Sequence, residues 1–81
     1  MKNLEIAKIL NNIADILELQ DVQFKPQAYR KAALTIEDMS DAIEETYKDG
    51  GIKGLQEIPG VGENIALKIE EIIKTGKLKY Y

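Results

Sequence analysis

Leu55-Gln56-Glu57-Ile58-Pro59-Gly60-Val61-Gly62-Glu63-Asn64-Ile65-Ala66 decides how this chain folds. Proline followed by glycine punctuates a backbone, and two glycines one residue apart make a turn that other chains can approach without Cβ obstruction. Apolar Leu55 and Ile58 precede that turn. After it, Ile65, Ala66, Ile69, Ile72 and Ile73 fall within about 100° of one another on a helix of 3.6 residues per turn. The stretch therefore predicts helix, tight turn and helix, with Gly76 as the stop of the last helix. Val61 anchors the turn in the core, and Ala66 is small enough for the two helices to cross closely.

Upstream, Ile6, Ile9, Leu10, Ile13, Ala14, Ile16 and Leu17 predict an amphipathic helix from Asn3 to about Gln20. Asp21-Val22-Gln23-Phe24-Lys25 breaks the period. Pro26 suits the first turn of the next helix, where its missing N–H costs nothing, and that helix runs to about Met39 with Ala28, Tyr29, Ala32, Ala33 and Ile36 as its apolar set. Ser40 reads as an N-cap with Asp41 in the first turn, opening a short helix to about Lys48 that Gly50-Gly51 ends. No segment alternates with the period of a strand. The expected fold is a single all-α domain over residues 1–81, a small bundle of four to five short helices ending in a helix-hairpin-helix.

At 81 residues, with 44% hydrophobic and 31% charged residues, the chain has the composition of one small globular domain. It contains neither Cys nor His, so a disulfide framework and a Cys/His zinc site are excluded. Glu5, Lys8 and Asp15 interrupt the apolar stretches near the start, which leaves neither a signal peptide nor a spanning helix and makes the expected location cytoplasmic, with the nucleoid.

The net charge of −3 opposes long-range attraction to a polyanion, but the charges are segregated. Residues 22 to 35 carry Lys25, Arg30 and Lys31 and no acid, whereas 36 to 49 carry Glu37, Asp38, Asp41, Glu44, Glu45 and Asp49 against Lys48 alone. Residues 50 to 81 hold five lysines and four glutamates. One usable basic face is expected. The acidic run is expected to face solvent, or to meet another domain.

The turn has a chemical consequence. N–H groups of Gly60, Gly62 and the first residues of the last helix have no intrahelical acceptor and lie at the positive end of the helix dipole. Such a terminus accepts phosphate through main chain alone, and main-chain amides read no base, so binding there is expected to ignore sequence. Glu63 places a carboxylate beside the same amides. The plainer reading is a tight connector between two helices.

Two blocks of sequence also carry a resemblance. Gln27-Ala28-Tyr29-Arg30-Lys31-Ala32-Ala33 is followed by Ile58-Pro59-Gly60-Val61-Gly62, Ala66-Leu67-Lys68-Ile69-Glu70-Glu71 and Thr75-Gly76-Lys77-Leu78. In that order and spacing they resemble the N-terminal domain of family X DNA polymerases, and the stretch from Lys2 to Glu18 is most similar to the archaeal and bacterial branch. The resemblance implies a domain that anchors the 5′ side of gapped DNA in repair. It implies backbone contacts from Gly60, Val61, Gly62, Glu63 and Asn64 and from Lys25, Tyr29, Arg30 and Lys31. It implies a monovalent cation, sodium or potassium, on the main-chain carbonyls of Gln56, Ile58 and Val61, with no other cofactor required. Lys68 matches the lysine with which the polymerase beta member removes a 5′-deoxyribose phosphate through a Schiff base. Positions filled by cations in that member hold Gln56, Asn64 and Tyr80 here, and Phe24 stands where it has a histidine.

The residues thus support DNA anchoring first. A lyase at abasic or deoxyribose-phosphate ends, with Lys68 as nucleophile, is one alternative, and a protein-interaction module using the acidic segment is another. No cluster of aspartates for catalytic magnesium occurs, so polymerisation is expected to lie in further domains beyond Tyr81, the chain itself acting as a monomer.

Overall fold

The computed structural model describes residues 3–75. They form four helical elements, α1 (Asn3–Leu19), α2 (Lys25–Asp38), α3 (Ile43–Gln56) and α4 (Glu63–Thr75), and no strand occurs among the described residues. The Gly76 stop and Tyr80 lie outside them. The all-α bundle expected from the apolar periodicities is what the chain adopts.

α1 packs along α2, and α3 along α4. Ile6, Leu10, Ile36, Ile43, Leu55, Ile69 and Ile72 are the large side chains buried completely, and they draw on all four elements. No polar or charged side chain is buried among the described residues. The helices are thus held by apolar burial, worth about 25 cal/mol per Å² removed from water. None of the described helices is long and apolar enough to cross a membrane.

The connections show what sequence signals did and did not convey. α1 ends with the Val22 N–H donating to the Leu17 carbonyl at 3.0 Å and the Asp21 N–H to the Glu18 carbonyl at 3.1 Å. This pair is a Schellman cap, and Asp21, at φ 61°, occupies the left-handed position that glycine usually takes. Pro26 lies in the first turn of α2, as its missing donor favours. Gly51, at φ 61° and ψ −150°, breaks α3 into two limbs, so the predicted end at Gly50-Gly51 is a kink from which the helix resumes. Counting both limbs gives five short helices.

Ser40 does not cap α3. The helix starts at Ile43, the capping position is Ala42, and Glu44 and Glu45 rather than Asp41 occupy its first turn. Its cap comes from the other end of the chain. The Asn3 Oδ1 accepts the Ile43 N–H at 2.8 Å, while the Asn3 Nδ2 donates to the Asp41 carbonyl at 2.7 Å. One amide side chain thereby fastens the start of α1 to the start of α3. Asn3→Ala is expected to destabilise the domain by about 1 kcal/mol, the usual cost of a lost N-cap. In a domain of this size that is a fall in Tm of roughly 4–8 °C, measurable by circular dichroism.

Candidate nucleic-acid interface

The turn between α3 and α4 is a type II β-turn. The Val61 N–H donates to the Ile58 carbonyl at 2.9 Å, Pro59 supplies the preset φ at the second position, and Gly60 at φ 89° supplies the positive φ required at the third. Ile58 and Val61 are both buried, so the turn hangs from the core by its two ends while Pro59 and Gly60 stay exposed. Val61 contributes by holding the bend, since its N–H is engaged within the turn.

α4 begins immediately. The Gly62 carbonyl accepts the Ala66 N–H at 2.9 Å, which makes Gly62 the residue before the first helical turn. Helix geometry leaves the N–H groups of Gly62, Glu63, Asn64 and Ile65 without intrahelical acceptors. Gly62 has no side chain to cap them, and nothing lies within 4 Å of where its Cβ would be. The residues at the positive end of the α4 dipole, Gly62 to Ile65, all line one cleft.

A cleft of about 720 Å³ lies at that end. Lys25, Ala28 and Tyr29 of α2 form one wall, Gly60, Gly62, Glu63 and Asn64 the rim, and Leu67, Lys68 and Glu71 of α4 the other wall. Residues 30 or more apart in sequence meet here because α2 and α4 both pack on the core through their apolar stripes. Tyr29 is only 7% exposed, so its body belongs to the core, and it also lines the cleft. Lys68 is half-buried.

Lys31 and Arg30 part company. A Cβ on Gly60 would sit 3.3 Å from the Lys31 Cγ, so the Lys31 stem lies against the hairpin and its exposed ammonium flanks the turn. The Arg30 guanidinium instead donates to Asp15 at 2.7 Å and to Glu18, both on α1. These hydrogen bonds, Asp15 first, raise its pKa above an already high value. Arg30 joins α1 to α2, whereas Lys25 and Lys31 are the α2 cations beside the hairpin.

Of the three carbonyls implied for a monovalent cation, that of Ile58 already accepts the Val61 N–H and keeps its second lone pair, and that of Gln56 closes α3. All three are neutral main-chain oxygens at or beside the bend. Among the described residues no group of acidic side chains is arranged to hold a metal ion.

Leu67 and Glu71 line the cleft although sequence reasoning passed them over. The signal was present, since Asn64, Leu67, Lys68 and Glu71 follow the i, i+3, i+4, i+7 spacing of one helix face. The adjacent Glu70 faces elsewhere. Its Oε2 accepts the Tyr47 hydroxyl at 2.5 Å and lies 3.8 Å from the Lys74 Nζ, and this hydrogen bond holds the Tyr47 phenol above its ordinary pKa.

A profile of the helix-hairpin-helix domain matches residues 1–78 of the chain. No curated protein matches it.

Proposed function

We propose that this chain, which belongs to the helix-hairpin-helix domain family, is the DNA-anchoring domain of a family X polymerase and holds the backbone of gapped, 5′-phosphorylated DNA in repair. Helix-hairpin-helix domains bind DNA without reading its sequence, and membership supports the same for this chain. One observation carries the reading: the uncapped amides of α4 open into a cleft whose two walls carry Lys25 and Lys68. Those amides, the helix dipole and two ammonium groups converge on a volume that accommodates a phosphate and its sugar. Lys31, across the hairpin, extends the basic surface by one more cation.

The net charge of −3 is compatible with this grip because none of the acidic residues 37–49 lines the cleft. Among the described residues Glu63 and Glu71 are the acids that do, and they confine the attraction to short range. Affinity is therefore modest and salt-dependent. Gln56, Ile58 and Val61 would hold a monovalent cation beneath the hairpin, where it adds positive charge to the face turned toward DNA.

The test is a titration with 5′-phosphorylated gapped duplex followed by amide chemical shifts. Shifts are expected at Gly60 to Ala66 and around Lys25 to Lys31, with log affinity falling against log salt by about 0.9 per phosphate neutralised, or roughly 2–3 in all. Duplex that leaves the hairpin amides unmoved at low salt sinks the reading.

A second reading is favoured by the placement of Lys68. A half-buried amine in a cleft that also carries Lys25 and has room for a sugar phosphate is suited to attack the C1′ aldehyde of a base-free deoxyribose. The domain is on this reading also a lyase that removes a 5′-deoxyribose phosphate through a Schiff base.

A further inference from the structure

Elimination through a Schiff base needs more than an amine, because a proton must leave C2′ before the C3′–O bond breaks. We propose that the Glu71 carboxylate is the base that takes it; the inference rests on the lyase reading of Lys68. The structure gives the two adjacent glutamates different surroundings. Glu70 is held away by the Tyr47 hydroxyl at 2.5 Å and by Lys74. Glu71 lines the cleft with Lys68, one turn along the same face of α4, and both are half-buried. Side chains three apart on a helix have Cβ atoms about 5–6 Å apart, close enough for two long side chains to reach neighbouring carbons of one open-chain sugar.

The step balances without an oxidant or a metal. The Lys68 amine adds to the C1′ aldehyde, water leaves, and the resulting iminium acidifies C2′. Glu71 takes the C2′ proton, and the C–H electron pair forms C1′=C2′ as the iminium pair returns to nitrogen. That nitrogen pair then reforms the imine, C2′=C3′ forms, and the C3′–O3′ bond breaks with its electrons on the departing phosphate. Water hydrolyses the imine, which releases an unsaturated aldehyde and restores Lys68. Glu71 gives its proton to solvent. The amides of α4 and Lys25 hold phosphate while this happens.

The 81-residue chain and gapped DNA bearing a 5′-deoxyribose phosphate decide the matter through two readouts. Borohydride trapping reports the Schiff base, and single-turnover release of the sugar phosphate reports elimination. Glu71→Gln is expected to trap like the parent protein and to eliminate about 100-fold more slowly, the usual lower range for loss of a general base. Deuterium at C2′ should then slow release further. Glu70→Gln, which alters only the contacts with Tyr47 and Lys74 away from the cleft, should eliminate at the parent rate. If the glutamine variant is unstable, Glu71→Ala rescued by added formate gives the same answer. Elimination at the parent rate in Glu71→Gln with trapping intact overturns the assignment, and so does an equal loss of trapping and elimination. A parent protein that forms no adduct abolished by Lys68→Ala overturns the lyase reading beneath it, a result visible before Glu71 is changed.

Discussion

Gly60→Val is expected to destabilise the domain by about 2 kcal/mol or more and to weaken its hold on gapped DNA at least tenfold. A β-branched residue tolerates positive φ least of all, and Gly60 sits at 89°. Left-handed backbone costs an L-residue roughly 1–2 kcal/mol, before the Cβ meets the Lys31 Cγ at 3.3 Å. The lysine stem is flexible and can move, but moving it pulls the ammonium from the flank of the hairpin. The backbone cannot relax cheaply either, because the turn is fixed at both ends by buried Ile58 and Val61. A thermal melt should show a fall of roughly 8–16 °C at about 4–8 °C per kcal/mol. Gly62→Ala separates folding from binding. Its methyl would meet nothing within 4 Å, so Tm should hold within a few degrees, while affinity falls because Gly62 lines the cleft and the methyl takes up room there. Equal affinity in Gly62→Ala and the parent would mean that phosphate does not approach the main chain there.

Much of this architecture was legible in the sequence because it is local. A period of 3.6 in Ile6, Ile9, Leu10 and Ile13, or in Ile65, Ile69 and Ile72, is a statement about one helix. Pro59-Gly60 is a statement about one turn. What could not be read depended on which helices pack together. Asn3 caps Ile43 across 40 residues, so a local search found Ser40 instead. Arg30 is one cation among three on α2 until the packing of α1 brings Asp15 and Glu18 against it. Asp21 takes the glycine place of a helix cap with no glycine present, so that stop carries no familiar mark. Of the candidate site, the hairpin, Lys25, Tyr29 and Lys68 were all nameable, whereas their meeting in one cleft, and the inclusion of Leu67 and Glu71, required α2 and α4 brought to the same cleft by the packing of the core.

That partition of the α2 cations yields the second large effect. Lys25→Glu is expected to weaken binding to gapped DNA at least tenfold, about 1.4 kcal/mol, and to make the salt slope shallower by about 1. The lysine lines the cleft opposite Lys68, so reversal both deletes a phosphate partner and places a third carboxylate beside Glu63 and Glu71. Arg30→Gln should behave differently. Its charge is offset by two carboxylates on α1, so the slope should not change, and the loss should appear in stability as two exposed acids left without their partner. Both proteins keep the same hairpin, so fluorescence anisotropy across 20 to 200 mM salt compares the cations alone. A slope that drops for Arg30→Gln and not for Lys25→Glu would move the DNA track off the cleft and onto the α1–α2 edge. The distinction is physical rather than one of degree, because counterions are released only by a cation that is free to replace them at a phosphate.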